Sequence, residues 1–383
     1  MKKAKLVIVG GGFAGVKLAH DLSDDERFAI TLISSRDYFC YYPSLYHGAL
    51  GGLSRESIIP LQDIFGDTRV TVVHNRVTKL DKKSKKIFCR NNQSFEYDYL
   101  VLALGVSTNY FGIEGLDKYS YGIKSREEVK ELNAHIKEKI TSREKQEHNY
   151  LIVGGGPSGV ELAGAMPGYI RHLSEQTGKK VDFSVTLVEA AGRVMPRSSK
   201  AMSRSVKRRL KNLGVKVMVN AHVQGEDASH LTINGQNIVS SCVVWTAGMA
   251  ISTFYSENNF EMHNRRVAVN AYLEADDDIY VLGDNADTPY SGMAQTAMHD
   301  AKFVGQNLVR KIEDKDPRSY KAQKPICVTP VGPRWAALQY GKVEMYGILP
   351  WFLRHAATTR AHIELEPILQ AARTITSGVR AGD

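Results

Sequence analysis

The chain has 383 residues, of which 43% are hydrophobic and 24% are charged, and its formal net charge is +9. This length is enough for two or three domains, and the composition is that of a globular protein without a low-complexity tract. The positive charge favours anionic dinucleotides or an anionic membrane surface as partners. No nucleic-acid-binding motif accompanies it, so nucleic acid is not expected as a partner.

Other classes are excluded by the pattern of the residues. No apolar stretch approaches the ~18 residues of a transmembrane helix, so any membrane contact is expected to be peripheral. The basic start of the chain leads into a short apolar run, which predicts a strand and not a signal peptide. The cysteines, Cys40, Cys89, Cys242 and Cys327, form no C-x-x-C pair. This fits a reducing compartment and removes the usual signal of a dithiol reductase, and no metal site is expected.

The first predicted unit opens with an apolar strand at residues 6–9, followed by Gly10-Gly11-Gly12-Phe13-Ala14-Gly15. In this G-x-G-x-x-G pattern, the first glycine permits a tight turn and the second lets the backbone approach a pyrophosphate. The third lets the next helix pack on the strand, so that the phosphates lie at the helix N-terminus. A helix at residues 16–22 and a strand at residues 29–33 are predicted to follow.

A tyrosine-rich loop at residues 38–46, which includes Pro43, comes next. Beyond it we predict a strand at residues 70–73 and a hairpin with strands around Leu80 and at residues 87–89. Residues 99–104 then form an apolar strand that ends at Gly105. The carboxyl end of such a strand is where an open α/β sheet binds ligands.

The second unit repeats this pattern after an amphipathic helix at residues 125–140. A strand at residues 150–153 leads into Gly154-Gly155-Gly156-Pro157-Ser158-Gly159 and a helix from Val160. A strand at residues 184–188 then ends at Glu189. Two such fingerprints in one chain predict two bound dinucleotides, of which one can be a fixed flavin and the other an exchanging nicotinamide.

The rest of the chain completes both units. We predict a basic, solvent-exposed helix at residues 200–213, a strand at residues 215–219 and a strand at residues 243–246 that enters Ala247-Gly248. A strand at residues 279–282 leads into Gly283-Asp284 and a helix from Ala294, and we interpret it as a return to the first domain. The predicted fold class is α/β, with two Rossmann-like domains and a small C-terminal segment. The predicted boundaries are 1–120 with 264–325, 121–263, and 326–383.

The residues at strand ends carry the nucleotide predictions. A carboxylate at Glu189 can accept both ribose hydroxyls of an adenosine and repel a 2′-phosphate, which favours NADH over NADPH. The equivalent residue of the first unit is Ser34, a weaker ribose partner. Arg36 is either a contact to adenosine or phosphate, or a surface arginine. Asp284 can hold a ribityl chain together with the adjoining backbone.

Three further side chains have two readings each. Glu161 either complements the N-terminus of its helix or lies between nicotinamide and flavin. Gln295, after Ala294, is either a polar cap or the start of a helix whose positive end faces the flavin. His299, beside Asp300, is a weak candidate for proton delivery. The apolar run at residues 347–354, with its Trp and Arg, suits a membrane interface, a dimer contact or the core equally.

Together these motifs resemble type II (non-proton-pumping) NADH:quinone oxidoreductases of the two-dinucleotide-binding flavoprotein superfamily. The resemblance covers about residues 4–355. The superfamily motifs are Gly10–Gly15, Leu104-Gly105, Ile152–Ala163, Val188-Glu189, Trp245-Thr246-Ala247-Gly248 and Gly283-Asp284. The type II motifs are Asn109-Tyr110-Phe111-Gly112, the tyrosine loop with Gly51-Gly52-Leu53-Ser54, and Ala294-Gln295.

The resemblance implies FAD as cofactor in the first domain, NADH as substrate in the second, and a quinone reached from the membrane. It implies peripheral attachment to the cytoplasmic face of the cell membrane, with a homodimer as an open alternative, and roles for Glu161, Gln295 and His299 in the reaction. The implied FAD residues are Gly10, Gly12, Phe13, Ala14, Gly15, Ser34, Arg36, Pro43, Ala103, Gly105, Asp284, Ala294 and Gln295. The implied NADH residues are Gly154, Gly156, Pro157, Ser158, Gly159, Glu189, Ala247 and Gly248.

The chain departs from the family pattern in two places. His299-Asp300 stands where the family has a glutamine pair, and the C-terminal segment is short and polar, with Glu364, Glu366 and Arg373. Two other functions stay open from the residues. A sulfide:quinone oxidoreductase needs a cysteine pair at the flavin, for which Cys327 has no partner near the second fingerprint. A redox-sensing flavoprotein resembling apoptosis-inducing factor is the other alternative.

Overall fold

The computed structural model describes residues 2–51, 57–142 and 148–366. Most of the Gly51-Gly52-Leu53-Ser54 motif and Arg373 of the C-terminal segment therefore lie outside the described residues. No helix in the described ranges is long and apolar enough to cross a membrane.

The strands up to the second fingerprint are β1 (Ala4–Val9), β2 (Phe28–Ser34), β3 (Tyr38–Cys40), β4 (Ile58–Pro60), β5 (Thr71–His74), β6 (Val77–Asp81), β7 (Lys86–Cys89), β8 (Ser94–Glu96), β9 (Tyr99–Leu102), β10 (Val106–Thr108) and β11 (His148–Val153). The later strands are β12 (Phe183–Val188), β13 (Val215–Met218), β14 (Val223–Glu226), β15 (His230–Ile233), β16 (Gln236–Val239), β17 (Cys242–Trp245), β18 (Met249–Ile251), β19 (Met262–His263), β20 (Arg266–Val267), β21 (Glu274–Asp276), β22 (Ile279–Val281), β23 (Cys327–Pro330), β24 (Ala336–Tyr340) and β25 (Val343–Gly347).

The α-helices are α1 (Phe13–Asp21), α2 (Leu45–Gly51), α3 (Leu61–Phe65), α4 (Leu116–Tyr119), α5 (Arg126–Thr141), α6 (Pro157–Thr177), α7 (Lys200–Asn212), α8 (Phe254–Glu257), α9 (Ala294–Ile312) and α10 (Ile348–Leu365). Two short 3-10 turns cover Tyr42–Ser44 and Gly283–Asn285. Helix α5 begins after Ser125, whose side chain accepts a hydrogen bond from the Glu128 N–H. Such an N-cap satisfies one of the amide groups that a helix start leaves open.

A six-stranded sheet, in the order β21-β22-β9-β1-β2-β5, contains the first glycine turn. Strand β1 pairs in parallel with β2 and β9, and its last four residues, 6–9, are buried. A parallel strand that is covered on both faces reads as a continuous apolar run, which is why these residues are Leu-Val-Ile-Val. Strand β22 pairs in parallel with β9. The segment before Gly283 therefore does return to the first sheet.

A second parallel sheet, in the order β13-β12-β11-β17, contains the second glycine turn. Strand β11 lies between β12 and β17, so the turn at residues 154–159 leaves the centre of this sheet. The predicted α/β fold class with two parallel sheets is confirmed. The predicted domain boundaries stay a prediction.

Smaller antiparallel elements join the two sheets. Strand β10, after the first sheet, pairs with β18, after the second sheet. The C-terminal hairpin β23-β24-β25 packs with α10, and α10 also contacts α1. Residues 327–366 of the C-terminal segment are thus packed against the rest of the described chain. Its innermost residue, Leu365, belongs to the same buried cluster as Leu6 and Ile8 of β1.

Most predicted elements are confirmed with shifted ends. Helix α1 begins at Phe13, three residues earlier than the prediction, because the helix starts directly at the Gly12 N-cap. Strand β9 ends at Leu102 instead of residue 104, since the chain turns at Gly105, where φ is +68°.

Candidate functional site

Of the three glycines in the G-x-G-x-x-G pattern of the first turn, two are required by close contacts within the protein and one faces open space. A Cβ on Gly10 would lie 2.1 Å from the Ala103 carbonyl oxygen, and one on Gly15 would lie 1.9 Å from the Gly10 carbonyl oxygen. A Cβ on Gly12 would meet no protein atom within 4 Å. Gly12 is the N-cap of α1, so the free space adjoins the positive end of that helix. This arrangement fits a phosphate group there.

The second turn has the same construction. A Cβ on Gly154 would lie 2.7 Å from the Thr246 Oγ1 atom, and one on Gly159 would lie 1.9 Å from the Gly154 carbonyl oxygen. Again the middle glycine, Gly156, has no atom within 4 Å and is the N-cap of its helix, α6. Pro157 and Ser158 at the start of α6 are exposed beside it. Both turns therefore offer a helix N-terminus with room for a ligand.

Glu189 is held beside the second turn by backbone amides. Its carboxylate accepts hydrogen bonds from Gly155 N–H at 2.6 Å and Ala191 N–H at 2.7 Å, one on each oxygen. Each oxygen keeps a further lone pair for a ligand hydroxyl. A Cβ on Gly155 would lie 2.8 Å from a Glu189 oxygen. This close approach is a further reason for a glycine at position 155, which the G-x-G-x-x-G pattern leaves unspecified.

Ser34 and Arg36 form the corresponding corner of the first unit. Ser34 is buried, its Oγ accepts from Arg36 N–H at 3.2 Å, and it would lie 2.7 Å from a Cβ on Gly11. Arg36 is half-buried, with its guanidinium 5.8 Å from the centre of the Tyr38 ring. This argues against the reading of Arg36 as a freely exposed surface arginine.

Phe13 and Ala14 are buried at the start of α1. The Phe13 ring lies 5.0 Å from the Phe39 ring and 5.6 Å from the Tyr41 ring, measured between centroids. The tyrosine loop therefore packs against the first glycine turn. Pro43, in the same loop, is half-buried.

The turn at residues 283–285 lies against the end of β9. The Asn285 side chain accepts from Gly105 N–H at 2.9 Å and donates to the Gly105 carbonyl at 2.7 Å. Asn285 is fully buried. It could not be singled out from the sequence, because an asparagine after Gly-Asp is not part of a recognised binding motif. A Cβ on Gly105 itself would meet no atom within 4 Å. Burial raises the pKa of Asp284, while Arg266 opposes that rise.

Lys124 links the two units. Its ammonium donates to the Gly248 carbonyl at 2.8 Å and to the Ser107 carbonyl at 3.3 Å. Burial lowers the pKa of Lys124, and the charges of Glu128 and Asp284 oppose that effect. Lys124 could not be singled out from the sequence, because it precedes a charged helix in which lysines are common.

Ala247 and Gly248 follow the last strand of the second sheet. Gly248 has φ +79°, and a Cβ there would lie 2.5 Å from the Phe111 ring and 2.7 Å from the Asn109 carbonyl oxygen. The indole N–H of Trp245 donates to that same Asn109 carbonyl at 2.9 Å. The Asn109-Tyr110-Phe111-Gly112 motif thus packs against the carboxyl end of β17 in the second sheet. Phe111 itself is 53% exposed.

Glu161 is a buried acid near the start of α6. It lies on α6 and is 9% exposed, and burial raises its pKa to about 7, with the Arg354 charge acting in the opposite direction. A helix-dipole role alone would place an acid at a solvated helix end, so its burial argues against that reading. The charges of Glu161 and Arg354 also act on the Cys327 thiol. Its pKa is raised, mainly by burial.

Arg354 comes from the C-terminal helix. Its guanidinium donates to the Pro43 carbonyl at 2.8 Å, so α10 brings a cation between the tyrosine loop and Glu161. From the sequence, this arginine belongs to a patch that suits a membrane interface, a dimer contact or the core. Its part in the site depends on the packing of α10 against distant segments, for which the local sequence has no signal.

Gln295 and His299 project from one face of α9, as predicted, but both bind an extended segment. The Gln295 amide exchanges hydrogen bonds with the Ile326 backbone, at 3.2 Å and 3.0 Å. An imidazole nitrogen of His299 lies 2.9 Å from the Lys321 carbonyl. The start of α9, at Ala294, has no side-chain cap, so its amide groups stay available. The predicted roles of these residues in a reaction stay predictions.

The patch at residues 347–354 is largely exposed. The side chains of Ile348, Leu349 and Phe352 are 53%, 54% and 57% exposed. Further along α10, the polar residues are paired within the helix. Arg360 binds Glu364 at 2.7 Å, and the buried His362 binds the buried Glu366 at 2.6 Å.

None of the cysteines forms a disulfide bond in the described part of the chain. Cys40, Cys89 and Cys242 are buried, and Cys327 is half-buried. Burial raises the pKa of Cys40 to about 12, so its thiol stays protonated at neutral pH. Only Cys327 adjoins the Glu161 site, which agrees with the absence of a dithiol motif.

Comparison with curated proteins gives relatives of one description. A protein of Staphylococcus haemolyticus described as type II NADH:quinone oxidoreductase is 29% identical over 331 residues, covering 80% of this chain and 82% of that protein. A protein of Staphylococcus saprophyticus with the same description is 26% identical over 389 residues, covering 95% and 96%. The resemblance inferred from the motifs is confirmed.

Solved structures share the fold at lower identity. The structure of NDH2 from Plasmodium falciparum in complex with NADH superposes with a TM-score of 0.86 at 19% identity, covering 98% of this chain and 97% of that chain. The sulfide:quinone oxidoreductase of Aquifex aeolicus has a TM-score of 0.80 at 18% identity, covering 93% and 90%.

The family of pyridine nucleotide-disulphide oxidoreductases matches residues 4–301, which span both glycine turns and the start of α9. This chain belongs to that family.

Proposed function

We propose that the protein is a type II NADH:quinone oxidoreductase that carries FAD at the first glycine turn, oxidises NADH at the second and reduces a quinone without pumping protons. The names of the staphylococcal relatives support this proposal over nearly the whole chain. The observation that carries it is the pair of glycine turns, each with an open glycine, Gly12 or Gly156, at a helix N-terminus.

The first turn supports FAD through several independent groups. The pyrophosphate would lie over Gly12 at the start of α1, while the Ser34–Arg36 corner would hold the adenosine end. Asp284 and the uncapped start of α9 would hold the ribityl chain and the pyrimidine edge. When bound, FAD supplies the chemistry of accepting a hydride and passing its electrons to a second acceptor.

The second turn supports a preference for NADH. Glu189 is already fixed by two backbone amides, so its orientation requires no reorganisation when a ribose arrives. Its negative charge and close approach to Gly155 disfavour the 2′-phosphate of NADPH. Gly156, Pro157 and Ser158 would meet the pyrophosphate, and Ala247 with Gly248 would line the nicotinamide end.

Glu161 is suited to hold or release a proton between the two nucleotides. A pKa of about 7 lets both protonation states exist at neutral pH, which is the condition for general acid or base work. The Arg354 cation stabilises the ionised state, so the C-terminal helix tunes this acid.

The exposed patch of α10 supports peripheral contact with a membrane, which in our proposal is the cell membrane at its cytoplasmic face. Ile348, Leu349 and Phe352 form an apolar surface on the first turns of the helix. The basic helix α7 is bound to the hairpin of β23, β24 and β25, which also packs with α10. The Arg209 guanidinium of α7 donates to the Val331 and Pro333 carbonyls between β23 and β24. Apolar insertion together with a nearby basic surface is typical of interfacial binding to anionic lipid. A second copy of the chain is the competing occupant of this patch.

The decisive experiment is an anaerobic half-reaction study of the purified protein. We expect a yellow protein whose visible absorbance bleaches on addition of NADH and returns with a quinone. Bleaching by sulfide instead of NADH would favour a sulfide:quinone oxidoreductase. A long-lived charge-transfer band that quinones do not remove would favour a redox-sensing flavoprotein. A colourless protein that FAD cannot reconstitute would refute the proposal.

A further inference from the structure

An extended segment after α9, residues 316–326, runs back along that helix, and we call it the strap. Its backbone is bound by side chains of α9. The Asn307 side chain donates to the Arg318 carbonyl at 2.9 Å and accepts from the Arg318 N–H at 3.0 Å. The other α9 side chains that bind the strap's backbone are Gln295, His299 and Arg310. His299 and Asp300, which stand where the family has a glutamine pair, thus lie where α9 contacts the strap.

Asp300 connects the strap to the turn at residues 283–285. Its carboxylate is completely buried and accepts two hydrogen bonds. One comes from Gly283 N–H at 3.0 Å, and the other comes from the Tyr320 hydroxyl of the strap at 2.6 Å. Gly283 immediately precedes Asp284, the residue that the proposed function assigns to the flavin. A buried acid therefore ties the cofactor turn to the strap.

The charge environment of Asp300 is sparse. Burial raises its pKa to about 6, against the stabilising effect of the Tyr320 and Gly283 hydrogen bonds. The charged or titratable groups that act on it are Asp284 from the turn, Tyr320 from the strap and His299 from α9 itself. Helix α1 packs along α9, with Leu18 and Leu22 next to Gly305, and no charged group of α1 is among those that act on Asp300. The ionised form of Asp300 therefore depends chiefly on its two hydrogen bonds.

We propose that Asp300 is a positioning residue for FAD, which in its ionised form holds the Gly283–Asp284 turn against the strap. This inference rests on the proposed FAD site. Protonation removes the charge from both hydrogen bonds and loosens the turn. Retention of FAD by the intact protein therefore weakens as the pH falls through the ionisation of Asp300. The pH-sensitive group beside the flavin is then Asp300, whereas the neighbouring His299 binds a strap carbonyl.

The test follows release of FAD from the purified holoprotein by the rise in flavin fluorescence, between pH 5 and pH 8. For the parent protein we expect about tenfold faster release at pH 5, with a midpoint near pH 6. The factor reflects the greater strength of hydrogen bonds to a charged acceptor. Asp300→Asn should release FAD at the fast rate throughout and lack that midpoint.

Two further variants separate positioning from general packing. Asn307→Ala cuts two strap bonds on the same helix without touching Gly283, so it should keep the midpoint near pH 6. Tyr320→Phe removes one hydrogen bond that favours ionised Asp300, so it should move the midpoint to higher pH. This second variant decides the matter if Asp300→Asn does not fold.

The inference is overturned if Asp300→Asn keeps the parent's midpoint, if Tyr320→Phe leaves the midpoint unchanged, or if Asn307→Ala abolishes it. A parent protein that holds FAD but shows one of these results defeats the inference alone. A parent protein that binds no FAD defeats the proposed function as well.

Discussion

Replacing Glu161 with Gln removes a buried acid whose ionisation opposes folding. Burial raises the pKa of Glu161 from an ordinary value of 4.5 to about 7. A carboxyl with a raised pKa contributes stability that is fully present below pH 4.5 and is lost as the pH rises through about 7. At about 1.4 kcal/mol per pKa unit, the loss across this window is about 3 kcal/mol. The Gln variant has no such loss.

The expected readout is the difference in unfolding temperature between Glu161→Gln and the parent, measured at pH 4.5 and pH 8. A chain of this length has an unfolding entropy of about 0.8 kcal/mol/K, so the variant should gain about 3–4 °C relative to the parent between these two pH values. Glu175→Gln is the matched control, because Glu175 lies on the same helix but is exposed. If the Glu161 and Glu175 variants respond equally to pH, Glu161 is not a buried titrating acid.

Three other outcomes are expected. Gly12→Val should fold but purify without flavin absorbance, and a yellow Gly12→Val protein would contradict the FAD assignment. Gly15→Ala should instead fail to fold, because its Cβ would lie 1.9 Å from a backbone oxygen. Glu189→Gln should reduce the preference for NADH over NADPH in kcat/KM by roughly tenfold to a hundredfold, and a parent protein that uses both equally would refute it. Replacing Leu349 and Phe352 with Ser should weaken binding to anionic vesicles by roughly a hundredfold or more, since each buried side chain contributes about 1.5–3 kcal/mol; unchanged binding in a flotation assay would exclude this patch as the membrane contact.

The local sequence was sufficient to predict the elements whose residue pattern follows directly from a steric or burial requirement. The glycine turns were predictable because Gly10 and Gly154 need positive φ and Gly15 and Gly159 need close packing, and these demands leave a fixed spacing. The position of Glu189 at a strand end was predictable because it directly follows a buried apolar run, and its contact with a ribose stays a prediction. The strand before Gly283 was predictable as an apolar run that enters a turn.

The sequence was a poorer guide where a side chain acts on a segment far away in the chain. Arg354 had the features of an interface residue until α10 was seen to bring it to Pro43 and Glu161. The imidazole of His299 contacts the Lys321 carbonyl, a partner that the pattern of its own helix does not reveal, and its role in proton delivery stays a prediction. A helical pattern gives the direction of a side chain but not the element that it meets.

The sequence by itself determined that this chain has two dinucleotide folds, in which order they occur and which strand ends carry the polar groups, because backbone geometry and burial period are local properties. Only the tertiary structure decided the electrostatics between the two units. The raised pKa values of Glu161 and Asp300 arise chiefly from their burial in the folded chain. Such burial is a sum over contacts between distant segments, and no stretch of the sequence contains that sum.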